Sequence, residues 1–559
     1  MGMAPETLSP QSESDRTLIK TSIPTALLVF ASLFAIAVLL QVRNGAYANG
    51  FGGTPDESAH YVTGLMVYKY VTHGLGTNPM TFAERFYTHY PAVAFGHWPP
   101  LFYVLQAMWG LVFGLSRISV LLLMASLTAV LSTLIYAVVA VRVSSLYGLL
   151  FGGLATCLPI VQWHTGVIMS EVPLTICTLV AILAYERLIE SPSQYRALWA
   201  GFWLASAILV KGNGWALLAV PAFAVLLAKR RVQFLLRYLP ATLIPVVLLC
   251  APITLLTMKM TKDGWDQSSP TFAFVIRALP SLFVQHIDVI GVPLVILAAI
   301  GVFAKVISPF FSGKQYSVFW MLCLFAIGSV LLFHSVVPAG IEPRKLFMSI
   351  PFLLFFAAAG LKRIVDALPQ WRLSSGYATA VAILIGISLV ARAHPIVHTN
   401  MGPAAQDFLS HASSKSAVFV ATTSRGEGEE LSFVAEIASR ENGNLNHAVI
   451  RAGKLLADSS WTGSDYKLIY PEDRIDDILR SIPVSAVVLY VGKGGTNGHG
   501  PLVERSMSEH PLEWAPIEDW KLNSGKVQLM FSRGQVSKIL QLPPINLDRK
   551  LGRRLAAQF

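Results

Sequence analysis

The chain has 559 residues, 54% of them hydrophobic and only 13% charged. Its mean hydropathy is +0.56, and soluble domains carry roughly 25% charge, so a soluble globular class is excluded. The net charge of +11 is spread between hydrophobic blocks rather than gathered into one patch, which excludes nucleic acid as a partner. Four cysteines, Cys157, Cys177, Cys250 and Cys323, all fall inside apolar stretches, so no disulfide framework is implied.

In chain order, residues 1–22 are rich in Ser, Thr and Pro and read as a disordered cytoplasmic tail. The first hydrophobic span covers 23–42. Ala46-Tyr47-Ala48 has the form of a signal-peptide cleavage site, but the apolar stretch is longer than a signal core and Arg43 follows it directly. An uncleaved anchor is expected. A long loop, 43–116, comes next, and then spans near 117–141, 146–163, 171–190, 196–210, 213–228, 236–258, 286–307, 317–334, 345–361 and 376–393. The apolar segment 99–115 is about the minimum length that can cross a bilayer. If it lies at the interface, Arg142, Arg187, Arg196, Lys229, Arg230, Arg231, Arg237, Lys305, Lys314, Lys362, Arg363 and Arg372 all face the cytoplasm, as short basic loops do. The expected fold is therefore a polytopic α-helical membrane protein of about 11 transmembrane helices, 23–393, with the first loop and the C-terminal segment outside a cell (inner) membrane.

From 394 to 559 the pattern changes. Strand-length apolar runs such as Ala417-Val418-Phe419-Val420 and Ala486-Val487-Val488-Leu489-Tyr490-Val491 alternate with helical stretches such as 428–440 and 471–480. This predicts a soluble α/β domain with a largely parallel sheet. Two loops follow strands, Thr422 to Gly428 and the one holding Gly492, Gly494, Gly495, Gly498 and Gly500, and both read as ordinary sheet-edge turns.

The chemistry-bearing residues stand out because ionised groups are costly beside a bilayer. Asp56 and Glu57 follow Gly52-Gly53-Thr54-Pro55, just after the first span. An acidic residue behind a proline can simply start a helix, and 58–70 has helical spacing. The same pair at a membrane surface could act as a general base. Some 40 residues on, His97-Trp98-Pro99-Pro100-Leu101 fixes an extended entry into a helix, because each proline restricts the residue before it. His97 could be an interface anchor like Trp98, or could meet a phosphate or an acceptor.

Taken together these elements resemble the membrane glycosyltransferases of the C superfamily, in particular the protein O-mannosyltransferases and the aminoarabinose transferase that modifies lipid A. Arg117 at the start of the next span, Met169-Ser170-Glu171-Val172-Pro173-Leu174, Lys211-Gly212-Asn213-Gly214 and Glu342-Pro343-Arg344-Lys345-Leu346-Phe347 extend the likeness in the same order. Two departures are visible: Trp98 separates His97 from the prolines, and Glu171 stands where the family usually has Asp. The resemblance implies a polyprenyl-phosphate sugar donor, an external acceptor (protein, lipid or polysaccharide) and inverting transfer. It makes Asp56, Glu57 and Glu171 the candidate catalytic residues, with Asp56 as base. It gives His97, Lys211, Arg344 and Lys345 to the substrate, the guanidinium holding the donor phosphate. A divalent cation bridging Asp56 and Glu171 would suit hard oxygen ligands, and the metal stays unassigned. A transporter or flippase of lipid-linked glycans is the alternative, although transporters place charges midway along broken helices rather than at span ends.

Overall fold

The structure, a computed structural model, describes residues 22–48, 50–52, 54–94, 96–228, 231–261, 271–313, 316–338, 340–368, 374–413, 415–423, 428–458, 466–492, 498–511, 513–521, 525–533, 545–546 and 554–555. The expected N-terminal tail through residue 21 lies outside the described residues, as do Lys229, Arg230, Lys314 and Arg372. So do 424–427 and the glycines Gly494 and Gly495 of the two sheet-edge loops.

Helix α1, Ile23–Arg43, begins where the Ser22 hydroxyl accepts a hydrogen bond from the Thr25 amide. Only Val29, Leu33, Ala37 and Gln41 are buried, a single i, i+4 stripe that packs on the bundle while the other faces meet lipid. Three short helices follow: α2, Pro55–Lys69, α3, Pro79–His89, and α4, Leu101–Phe113. At 1.5 Å per residue α4 is about 20 Å long, too short to cross a hydrocarbon core of about 30 Å. It buries Phe102, Tyr103, Gln106, Ala107 and Gly110 and exposes Val104, Met108, Leu111, Val112 and Phe113. An apolar face left open on a helix that cannot span is what an interfacial segment requires.

The bundle continues through α5, Arg117–Arg142, α6, Ser145–Cys157, α7, Pro159–Gly166, α8, Glu171–Glu190, and α9, Gln194–Val210. A 3-10 turn, Gly212–Leu218, runs into α10, Ala219–Leu227. Then come α11, Arg231–Lys259, α12, Phe272–Ile290, α13, Val292–Phe311, and α14, Val318–Val336. A second 3-10 turn, Pro343–Ser349, leads into α15, Ile350–Asp366, and α16, Ser374–Arg392, closes the membrane part.

Among the described residues nine helices are long and apolar enough to cross a membrane, or ten if the pair α6–α7 counts as one span bent by 59°. The sequence expectation of eleven differs for local reasons. Pro159 lacks an amide hydrogen to continue the ladder, so the span expected at 146–163 breaks there. Helix α9, with 17 residues, and the apolar helix Gly212–Leu227 are shorter than the roughly 20 residues a crossing needs. The single span expected at 286–307 is two helices, because Gly291 adopts φ +84 and Pro293 restarts the chain behind it.

Beyond α16, α17, Met401–His411, leads to β1, Ala417–Thr422. Helix α18, Gly428–Arg440, then precedes β2, Ala448–Arg451, and β3, Ala486–Gly492. Helix α19, Gly500–Glu509, and the strands β4, Trp514–Lys521, and β5, Gly525–Ser532, complete a five-stranded sheet. Its order is β2–β1–β3–β5–β4. β1 pairs in parallel with both β2 and β3, as expected, with Val418 opposite Val449 and Ala486. The last two strands form a hairpin antiparallel to β3, with Val488 opposite Leu529, so the sheet is mixed rather than largely parallel. β1 is buried along its whole length, which is why it reads as an unbroken apolar run.

Candidate active site

Five of the expected site residues meet at one end of the bundle, each at a helix terminus. Asp56 and Glu57 lie in the first turn of α2, where carboxylates complement the helix dipole. Consecutive positions on a helix project about 100° apart, so the two side chains part company. The Asp56 carboxylate accepts a hydrogen bond from Arg344 (Nη1 to Oδ2 2.8 Å), and Arg344 Nε donates to Glu342 Oε2 at 2.5 Å. Arg344 belongs to the 3-10 turn ahead of α15, 288 residues away in sequence. Glu57 instead turns inward: its Oε2 accepts from the Gly52 amide at 2.9 Å, and its Oε1 lies 3.4 Å from Arg117. Arg117 also donates to the Ala46 carbonyl at 2.8 Å, so Glu57 and Arg117 tie the end of α1 to α2 and α5.

The environments separate the two acids electrically. Burial pushes the Asp56 carboxyl up, but Arg344, with His60 and Lys211 behind it, outweighs burial and holds the group below its ordinary value. Glu57 is more deeply buried, and there burial wins over Arg117 and leaves its carboxyl raised.

Glu171 opens α8 and is buried. Lys211 Nζ, at the end of α9, donates to its Oε1 at 2.5 Å, while Oε2 meets no hydrogen-bond donor. Lys345 is partly buried beside Arg344, within electrostatic reach of Lys211 and Glu171. His97 is half-buried and packed edge-on against Trp98, with ring centres 4.9 Å apart.

Three residues join the site that the sequence reading passed over. His60, one turn beyond Asp56 on the same face of α2, stacks over Trp98 at 4.2 Å, with Nδ1 2.9 Å from the Tyr103 hydroxyl. Burial above all, then Lys211, drops its pKa to about 4, so the ring is neutral. The i, i+4 spacing from Asp56 was the available signal. His164, at the end of α7, brings Nε2 to 3.9 Å from Glu171 Oε1. His334, near the end of α14, is fully buried close to Lys211 and Lys345, and no sequence pattern marks it.

The loop feeding α2 is clamped from the C-terminal segment. The Phe51 amide donates to Glu436 Oε1 at 3.0 Å, and the Ser432 hydroxyl donates to the Gly52 carbonyl at 2.7 Å, both from α18. Gly50, at φ +69, makes room: a Cβ there would fall 1.9 Å from Glu436 Oε1.

Among the described residues no three His, Cys, Asp or Glu side chains gather into a metal-holding group. Asp56 and Glu171, expected to share a cation if any residues did, are each paired to a protein cation instead.

Residues 97–255 match the family model described as dolichyl-phosphate-mannose-protein mannosyltransferase. No curated protein sequence matches the chain. Among solved structures, the chain is similar to ArnT from Cupriavidus metallidurans bound to undecaprenyl phosphate, at 12% identity and a TM-score of 0.50, covering 92% of this chain and 99% of that one. It is also similar to the oligosaccharyltransferase AglB from Archaeoglobus fulgidus, in complex with an inhibitory peptide and a dolichol-phosphate, at 14% identity and a TM-score of 0.50 over 82% of this chain and 69% of that one. The archaeal oligosaccharyltransferase has a further structure in complex with Zn and sulfate, at 12% identity, a TM-score of 0.50 and the same 82% of this chain over 68% of that one. At these identities the likeness establishes the fold.

Proposed function

We propose that this multi-pass membrane protein is a glycosyltransferase that uses a polyprenyl-phosphate sugar donor and delivers the sugar to a hydroxyl acceptor on the outer face of the cell (inner) membrane, with inversion. The observation that carries the reading is the Asp56–Arg344 pair beside Glu171–Lys211, two acids and two cations at one end of the bundle. Asp56 takes the proton from the acceptor hydroxyl. The freed oxygen pair attacks the anomeric carbon, and the bond from that carbon to the phosphate oxygen breaks with its electrons on the phosphate. Arg344, Lys345 and Lys211 take up that charge, which leaves as polyprenyl phosphate. His97 lines the approach through Trp98, and Glu57 positions α2 by its bond to the Gly52 amide.

Arg344 has two claimants in this scheme. Arg344 pairs with Asp56, and a carrier phosphate, binding a planar guanidinium on two oxygens, competes with that pair and frees the base. ArnT was solved with undecaprenyl phosphate and AglB with a dolichol-phosphate, which fits a phosphate-bearing lipid as the ligand here. AglB was solved with an inhibitory peptide, which fits a peptide among the acceptors open to this chain. Residues 23–393 carry the transfer, and 394–559 orient the acceptor and hold the catalytic loop. Charges at helix ends on one face fit a transferase better than transport. The test is protein in lipid with a panel of polyprenyl-phosphate sugars, following free polyprenyl phosphate by mass spectrometry. Release that needs both an acceptor and Asp56 is expected, and release unchanged in Asp56→Asn would overturn the assignment.

A further inference from the structure

His60, His164 and His334 come from three different helices and are all buried, yet each keeps ring nitrogens with no hydrogen-bond partner: Nε2 of His60, Nε2 of His164, and both nitrogens of His334. Buried polar atoms are nearly always satisfied, and each exception calls for a reason. Three exceptions around one lysine call for a common one. Lys211 is within electrostatic reach of all three rings, and its own partner, Glu171, keeps a fourth buried atom unpaired, Oε2.

The chemistry of these atoms selects the ligand. His164 Nδ1 lies 2.7 Å from the Ile160 carbonyl, which only accepts, so Nδ1 carries the proton and Nε2 is left as a bare acceptor. Glu171 Oε2 belongs to a carboxylate paired with the Lys211 ammonium and is also an acceptor. A phosphate offers oxygens and could satisfy neither. Separate sugar hydroxyls can donate one to each, and a hydroxyl can also accept from the His334 ring, which carries at least one N–H. Rigid aromatic neighbours fix the rings: Phe347 stands edge-on to His164 at 4.8 Å, and Trp98 lies over His60 at 4.2 Å. Phe347 follows Arg344 by three residues and His60 follows Asp56 by four, so these nitrogens flank the groups given above to the phosphate and the base.

We infer that His60, His164, His334 and Glu171 Oε2 form the subsite for the donor sugar, binding its ring hydroxyls while Arg344, Lys345 and Lys211 hold the phosphate. This rests on the transferase reading above. The division predicts that the histidines distinguish a glycosylated carrier from a bare one and that the cations do not.

The test uses the full chain in lipid nanodiscs and measures equilibrium binding of bare undecaprenyl phosphate and of its mannosyl, glucosyl and aminoarabinosyl forms. Wild type should bind one glycosylated form more tightly than the bare carrier. His60→Phe, His164→Phe and His334→Phe should each weaken that form by roughly 3- to 10-fold, the range for one neutral hydrogen bond, and leave bare-carrier affinity within about twofold, which also reports an intact fold. His164→Gln, whose amide oxygen can replace Nε2 as acceptor, should recover part of the loss. Equal losses for bare and glycosylated carriers, no loss for either, or a wild type indifferent to the sugar would each overturn the subsite. A wild type that binds no carrier at all would overturn the donor reading itself, and the subsite with it.

Discussion

Asp56→Asn separates the base from the fold more cleanly than any other single change, because Asn keeps the shape and one oxygen for Arg344 while losing the charge and the basicity. As base, Asp56 should be worth roughly 10²- to 10⁴-fold in turnover, or about 3–5 kcal/mol at the transition state. Its effect on the carrier runs the other way. The Asp56–Arg344 bond, 2.8 Å long, competes with a phosphate for the same guanidinium. The two side chains are 21% and 30% exposed, so solvent screens them and the bond is discounted to about 1 kcal/mol. Relieving that competition should tighten carrier binding roughly fivefold. Single-turnover transfer and undecaprenyl-phosphate affinity, measured on the same preparation, give both numbers. Turnover within about tenfold of wild type would remove Asp56 as the base, and weaker carrier binding would refute the competition between Asp56 and the phosphate for Arg344.

Arg344→Ala should raise the donor KM by roughly tenfold or more, the worth of a charge-assisted pair of bonds, with a smaller change in kcat by steady-state kinetics. Lys211→Met strands the Glu171 carboxylate in a buried site, so stability by thermal unfolding should fall by about 3–5 kcal/mol, and adding Glu171→Gln should restore much of it. His60, with a pKa of about 4 against an ordinary 6.5, stays neutral in the folded protein while the unfolded chain takes up a proton as pH falls through that window. Stability should therefore drop between pH 6.5 and 4 by at most on the order of 3 kcal/mol. His60→Phe should flatten that slope in thermal unfolding scans. Ser432→Ala, which removes the donor to the Gly52 carbonyl, should cost about 1 kcal/mol of stability and lower kcat more than it raises the donor KM.

The parts of the site legible in the sequence were those where a charge interrupts an apolar chain. Asp56, Glu171, Lys211 and Arg344 stand at helix starts and ends close to long apolar stretches, and burial makes such placements expensive unless a partner exists. What the sequence could not supply was the pairing. Asp56 and Glu57 look equivalent as neighbours, yet the helical step between them sends one to Arg344 and the other to Arg117, and the balance of burial against those cations then leaves one carboxyl lowered and the other raised. His60 was readable by its spacing from Asp56. His334 was not, because a lone histidine in an apolar helix carries no pattern until the elements around Lys211 are assembled. The same limit explains the fold errors: the break at Gly291 depends on a backbone angle, and the closing hairpin of the sheet on strand pairing.

The clamp on the loop ahead of Asp56 was the least legible feature and bears most directly on how the two halves of the chain work together. Phe51 and Glu436 are 385 residues apart, and Gly52 and Ser432 are 380 apart. The clamped stretch lies only a few residues ahead of Asp56, and its amide at Gly52 is also the one that Glu57 accepts. Antiparallel pairing of Gly52 with His398 holds it from a second side, with the His398 ring reaching the Gly45 and Gly50 carbonyls at 2.8 and 3.0 Å. A short loop fixed on both sides cannot shift without moving α2, and Asp56 sits in the first turn of α2. A shift of α18 by even one ångström, as an acceptor seating on the C-terminal sheet could produce, would therefore be transmitted to the base through hydrogen bonds rather than through flexible chain. On the proposed reading, that coupling would let the C-terminal segment align Asp56 when an acceptor arrives, and it is why the Ser432→Ala effect should appear in kcat.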